Sequence, residues 1–240
     1  LNEEQAIGFC LDKIKEVIEK NNLNAEIIVV DNGSTDNSRN IIKGKQARLV
    51  EEKERGYGSA YLRGFEAAGG KYIFMADSDG SYDFNEIPNF IEYLRQGYDF
   101  VIGDRFKGKV EKEAMPWVHK YIGNPALSGV LRIFFNTKIH DVHCGMRAVR
   151  KDLLGRLNLR TTGMEFASEM IIKTIKNNLK IKEVPINYYA RKGESKLKSL
   201  TDGWRHLRFM LLYSPLFLFF LPGFFLFLVG FVSLFWLYFG

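Results

Sequence analysis

The sequence predicts an α/β domain with a mostly parallel sheet flanked by helices, followed by an amphipathic helix and a transmembrane helix. Three observations predict this. Short apolar runs of strand type alternate with helical-period segments over roughly 190 residues, the pattern of strands joined by crossover helices. Several of these runs end in acidic, glycine-containing turns, which lie at the strand ends where open α/β sheets bind ligands. From Phe209 to Phe239 no residue is charged, a run long enough to cross a bilayer.

In chain order, Asn2-Glu3-Glu4-Gln5 has the form of a helix start, with Asn2 as N-cap and Gln5 closing a capping-box variant. Ile7, Leu11, Ile14 and Ile18 then share one helical face, with Cys10 beside it. Ala25 to Val30 is a buried strand, and Asp31-Asn32-Gly33-Ser34-Thr35-Asp36 turns the chain toward a helix. Arg48 to Glu52 has strand character. Gly56-Tyr57-Gly58 opens a helix that stops at Gly69-Gly70; it lacks the full dinucleotide fingerprint. Tyr72 to Asp77 is the next strand. Asn85-Glu86-Ile87-Pro88 starts a helix, with proline tolerated in its first turn. Tyr98 to Gly103 is a strand, 117 to 135 is helical with a break at Asn124-Pro125, and Cys144 to Val149 is a strand. Glu165 to Leu179 is a helix, and Ile181 to Tyr189 is a strand that Pro185 assigns to a sheet edge.

The tail changes character at Arg191. Six basic and two acidic residues between Arg191 and Arg208 supply most of the net charge of +6. Ser199-x-x-Asp202 starts a helix on which Leu200, Trp204, Leu207 and Leu211 share a face, the pattern of a helix lying in the membrane interface. Alternation with Trp and Leu ahead of a spanning segment suits anionic lipid rather than nucleic acid. Leu216 to Phe239 is the spanning candidate, with a kink expected at Pro222-Gly223. Basic residues on its N-terminal side place the α/β domain in the cytoplasm. Two distant cysteines, Cys10 and Cys144, fit a reducing compartment and argue against a disulfide framework.

Asp77 and Asp79 carry the strongest chemical signal. Alternate residues of an extended chain point the same way, so both carboxylates can face one point beyond the strand end. Two hard oxygen ligands there suit Mg²⁺ or Mn²⁺, with the other positions left to water and substrate phosphates. His140, Asp141, His143 and Cys144 invite a zinc reading, but no distant ligand pair completes a tetrahedral site. Glu165 and Glu169 share a helix face and can approach a ligand there, though as a solvated or capping pair they need no role.

Taken together, Leu1-Asn2-Glu3-Glu4, Val30 to Asp36, Asp77-Ser78-Asp79-Gly80, Gly103-Asp104-Arg105-Phe106, Asp141 to Arg147 and Arg191 to Lys196 resemble the family-2 glycosyltransferases of the GT-A fold. More narrowly they resemble the polyprenyl-phosphate hexose synthases, the dolichol-phosphate mannose and glucose synthase group. The resemblance implies transfer of one hexose, with inversion, from a UDP- or GDP-linked nucleotide-sugar to a dolichyl or undecaprenyl phosphate at the cytoplasmic face of the cell or endoplasmic reticulum membrane. It implies that Glu3 and Asp31 contact the nucleotide. Asp77 and Asp79 would hold the metal and diphosphate, with Ser81 where some relatives carry a further ligand. Arg105 would meet the acceptor phosphate, with His119 where relatives often place an arginine. Arg191, Ser195 and Lys196 would close on the donor diphosphate. The resemblance also implies a catalytic domain over 1–195 lacking its first strand, a juxtamembrane helix over 196–214, a membrane segment over 215–240, and truncation at both ends. The chemistry agrees. A leaving diphosphate needs a divalent metal and cations, and a lipid phosphate is already an anion that needs positioning more than a strong base. Two other readings remain open. One is a polysaccharide-synthase-like enzyme with a saccharide acceptor, although the Gln-x-x-Arg-Trp of processive enzymes does not occur here. The other is a membrane-tethered nucleotide-sugar-binding scaffold without turnover.

Overall fold

The computed structural model describes residues 1–193 and 199–239, apart from the side chains of Ser199 and Leu200. Helix α1 runs over Ile7–Lys20, later than its capping residues suggest. Asn2 is not its N-cap. Asn2 adopts a left-handed backbone (φ 53°), its N–H donates to Ser34 Oγ at 2.9 Å and its side-chain oxygen accepts from Thr35 N at 2.8 Å. A contact with a turn more than thirty residues away outcompetes local capping, and the Glu3 carbonyl accepts the first helical N–H groups instead.

Strands β1 (Ile28–Asp31) and β2 (Arg48–Glu51) pair in parallel, joined by α2 (Ser38–Gly44). Helix α3 (Tyr57–Ala67) leads to β3 (Tyr72–Met75), and α4 (Ile87–Arg95) to β4 (Phe100–Asp104). Asp83 caps the short turn before α4 by accepting from Asn85 N, a start two residues earlier than expected, with Pro88 in the first turn of α4. Helix α5 (Asn124–Phe135), β5 (Arg147–Arg150), α6 (Leu154–Leu157), α7 (Phe166–Lys176) and β6 (Ile181–Pro185) complete the α/β part.

The second sheet has the order β3-β5-β4-β6. β4 and β6 are parallel, and β5 runs against both β3 and β4. Three of its four strands therefore share a direction, with one reversed strand between them. β6 is the outer strand, where Pro185 loses no ladder hydrogen bond. The expectation of one mostly parallel sheet holding both the Ala25–Val30 and the Tyr72–Asp77 strands is corrected. β1 and β3 belong to separate sheets and face each other across a cavity of about 2270 Å³, lined by both strands and by the apolar face of α1.

The expected break at Asn124-Pro125 and kink at Pro222-Gly223 share one outcome. The chain stays helical but widens to a π turn just before each proline, over His119–Gly123 and Leu216–Phe220. Proline lacks the N–H for the i−4 carbonyl and its ring crowds that carbonyl, so the preceding turn opens. Helix α8 (Ser199–Leu212) packs on α5 and α7 and adds Met210 to the main core around Phe90, Phe100 and Phe166. Helix α9 (Leu221–Phe239) continues an apolar stretch from Leu216 with mean hydropathy 2.4 and no buried residue in its most apolar window. This helix is long and apolar enough to cross a membrane. Both cysteines are free and buried.

Candidate active site

The chain leaves β3 at Met75, and Asp77 and Asp79 follow on the loop over the cavity. Tyr61 of α3 donates to Asp77 Oδ1 at 3.1 Å. Burial, then the charge of Asp79, pushes the Asp77 carboxyl up to about 6. A divalent cation would relieve both the burial and the like-charge cost that fall on the Asp77 carboxylate, so the pair fits Mg²⁺ or Mn²⁺. Among the described residues no third His, Cys, Asp or Glu joins them, which leaves most coordination to water and phosphate oxygens. Ser81, expected near the metal, donates its hydroxyl to Asp79 Oδ1 at 2.5 Å and its N–H to the same oxygen at 3.0 Å. Both bonds hold Asp79 in one orientation. Gly145 closes the opposite side, where a Cβ would lie 2.5 Å from Asp77 Oδ2. A side chain at position 145 would push Asp77 from this position.

Asp31 ends β1 with its carboxylate buried. Burial works against its charge, but hydrogen bonds from Ser34 and Arg39 outweigh it and hold Asp31 below the usual carboxylate range. Arg39 Nε lies 2.5 Å from Oδ2. Asn32 donates to the carbonyls of Glu52 and Glu54 and accepts from Gly56 N. An aspartate at position 32 would have no N–H for those carbonyls.

The segment after β6 folds back over the Asp77–Ser81 loop: Tyr189 N donates to Ser81 O at 2.9 Å and Lys192 N to Asp79 O at 2.8 Å. Arg191 thereby stands between Asp79 and Glu3, 3.7 Å from each. At that distance these are charge contacts, not formed hydrogen bonds. Ser195 and Lys196 lie outside the described residues.

Arg105 follows β4 and is buried. Its Nε and Nη2 grip both oxygens of Asp141 at 2.7 and 2.9 Å, and its guanidinium lies 5.2 Å from the Tyr188 ring centre. One face remains on the cavity, which His119 also lines. Arg105→Ala is expected to destabilise the fold by about 3–5 kcal/mol, because it strands a buried carboxylate. Urea unfolding measures this, and the Arg105→Ala/Asp141→Asn double variant should recover part of the loss. Recovery of none would mean that the ion pair is not the source. The zinc reading does not hold: Asp141 serves Arg105, and His140 Nδ1 lies 3.1 Å from Asp104. Glu169 is not turned to a ligand either, since it accepts from Arg160 N, Thr161 N and Thr161 Oγ.

Several features escaped sequence reasoning. Tyr61 and Gly145 touch Asp77 only through the tertiary fold. Helix α8 walls the cavity with Thr201, Asp202, His206 and Phe209 while turning Trp204 outward, 60 % exposed. Trp117, Val118, Tyr121 and Ile122 are also exposed, Trp117 at 65 %. Their apolar cluster beside Lys120 was the available signal; exposure made it informative.

The sequence matches the family described as Glycosyl transferase family 2 over residues 1–157. It is 41% identical over 235 residues to the low-salt glycan biosynthesis hexosyltransferase Agl6 of Haloferax volcanii, covering 98% of this chain and 57% of that protein. The chain thus spans little more than half the length of that relative. A dolichyl-phosphate hexose transferase of the same organism is 34% identical over 204 residues, covering 84% of this chain and 85% of its own. Among solved structures, glucosyl-3-phosphoglycerate synthase from Mycobacterium tuberculosis, in complex with Mn²⁺, UDP and glucosyl-3-phosphoglycerate, superposes with a TM-score of 0.70 at 22% identity. That match covers 89% of this chain and 77% of the other. At that identity the likeness concerns the fold.

Proposed function

Since this chain belongs to glycosyl transferase family 2, we propose that it transfers one hexose from a UDP- or GDP-linked nucleotide-sugar to a polyprenyl phosphate, dolichyl or undecaprenyl, at a membrane surface. One observation carries this reading. A single cavity runs from Asp77, Asp79 and Arg191 past Arg105 to α8, which leads directly into the apolar helix. An acidic pair with a cation suits a metal-bound diphosphate, a buried arginine suits a phosphate monoester, and the apolar exit suits a prenyl chain. The name of the 34% identical dolichyl-phosphate hexose transferase supports the same acceptor class.

Asp77 and Asp79 would hold Mg²⁺ or Mn²⁺, which when bound supplies positive charge to the leaving diphosphate. Ser81 and Tyr61 orient the two carboxylates. Arg191 is placed to exchange its loose contacts with Asp79 and Glu3 for diphosphate oxygens, with Ser195 and Lys196 proposed beside it. Asp31 and Glu3 would take the nucleoside. Arg105, held in one orientation by Asp141, would align the acceptor phosphate, with His119 on the same wall. Attack by that anion as the diphosphate leaves is one displacement, and it inverts the sugar carbon. Trp204 and the Trp117–Ile122 surface would seat the domain in the lipid headgroups, and the basic residues before the apolar helix favour the cytoplasmic face.

The test is a screen of UDP- and GDP-hexoses with a polyprenyl phosphate in detergent, scored for lipid-linked label. Label that depends on Mg²⁺ or Mn²⁺ is the expected result. Transfer to free saccharides but never to the lipid would establish the polysaccharide-synthase-like reading instead, and nucleotide binding without turnover the scaffold.

A further inference from the structure

His143 stands in the loop between Asp141, which holds Arg105, and Gly145, which abuts Asp77. Both of its ring nitrogens are buried and have no hydrogen-bond partner among the described residues. Yet the residue is only part-buried and lines the cavity together with Arg105 and His119. Its exposed part is therefore not its nitrogens. An imidazole with neither nitrogen bonded carries a desolvation cost that a phenylalanine of similar size would not. Such a group calls for a partner.

The ring is held from behind. His206 of α8 meets it edge to face, with centres 4.5 Å apart, and His206 Nδ1 lies 2.8 Å from Ser168 Oγ on α7. Burial, then the neighbouring His206, Arg105 and Arg147, holds His143 well below its ordinary value; burial brings His206 to about 4. Both rings are thus neutral near pH 7, and His143 has one N–H to donate and one nitrogen to accept.

Asp141 answers Arg105, but Arg147 donates to the carbonyls of Cys144, Ala167 and Val142. Among the described residues Arg147 has no carboxylate within ion-pair distance. Asp202 is the acid that α8 turns toward His206, and it also pairs with Arg205 at 3.9 Å. Asp77 lies within electrostatic reach of both Arg105 and Arg147, so what singles out this corner for an anion is Arg105 on the cavity beside a donor without a partner among the described residues.

We propose that His143 binds the acceptor phosphate monoester beside Arg105, with His206 positioning its ring. Half a turn about χ2 exchanges each ring nitrogen for a carbon and leaves the outline of the ring unchanged. That motion puts the two nitrogens where the ring carbons stood, without displacing His206. The assignment rests on the polyprenyl-phosphate reading above and names a residue for it.

Calorimetry on the full chain in detergent tests it, with a short-chain prenyl phosphate as one ligand and UDP or GDP with Mn²⁺ as the other. His143→Phe keeps the bulk and removes the donor. It should weaken prenyl-phosphate binding about tenfold or more and leave nucleotide affinity unchanged. His143→Gln, which restores an N–H, should regain most of the loss. If the parent and His143→Phe bind the prenyl phosphate equally, the inference is overturned while the acceptor reading stands. If the parent binds nucleotide but no prenyl phosphate, the acceptor reading falls and takes the inference with it. Should His143→Phe fail to fold, seen as lost nucleotide binding, His143→Asn must show the same selective loss, and equal binding by it overturns the inference. His206→Phe keeps the ring contact but drops the Ser168 bond; it should raise KM for the acceptor at unchanged kcat. An unchanged KM would remove His206 from the proposal.

Discussion

Asp79→Asn is expected to lower hexosyl transfer by about a hundredfold or more while leaving the protein folded. The side chain is buried, and its Oδ1 accepts two hydrogen bonds from Ser81. Asparagine keeps an oxygen for those bonds and keeps the volume. What it removes is the charge facing Arg191 and Asp77. Without that charge the site has one carboxylate left for a divalent cation, and that one is itself disfavoured by burial. Mn²⁺ titration should show the lost affinity, thermal unfolding should show little change, and label transfer should show the lost rate. Parent-like turnover with Mg²⁺ or Mn²⁺ present would refute the metal assignment.

Truncation after Lys198 is expected to abolish transfer to a water-soluble short-chain prenyl phosphate as well as to the long-chain lipid in vesicles. The sequence suggested otherwise, since an amphipathic helix ahead of a spanning segment reads as an anchor, and loss of an anchor affects only the membrane-bound acceptor. The structure makes α8 a wall of the cavity. Met210 is fully buried in the main core and His206 is bonded to Ser168. Losing the methionine side chain alone costs about 2–5 kcal/mol, and losing α8 opens the cavity beside His143. Trp204→Ala and Trp117→Ala should behave differently. Both residues point outward, so these variants should lose vesicle binding in a co-sedimentation assay and keep full rates on the soluble acceptor. A truncated chain with parent rates on the soluble acceptor would return α8 to the role of anchor.

The contrast between these variants marks how far the sequence could be read. Alternation of short apolar runs with helical segments, and the acids at strand ends, are local patterns. They depend on side-chain period and backbone propensity, which a single sequence carries. Asp77 and Asp79 were legible for that reason, as were the apolar run from Leu216 and the edge position of Pro185. Asn2 was misread because capping is worth about 1 kcal/mol, which a tertiary contact with Ser34 and Thr35 readily exceeds. Asn124-Pro125 was misread as a break, because the chain there widens to a π turn and stays helical rather than ending.

By itself, the sequence determined the α/β class, the strand-end acids, the family and the apolar terminal helix, all of which follow from period, composition and short motifs. Only the tertiary structure decided that β5 runs against its neighbours and that β1 and β3 face each other across a cavity. It alone committed Arg105 to Asp141, set Ser81 behind Asp79, made α8 a wall of the cavity, and left His143 without a partner among the described residues. The reason is that hydrogen-bond satisfaction and burial are properties of what surrounds a side chain. Those surroundings come from segments far apart in the chain, whose meeting no local pattern records.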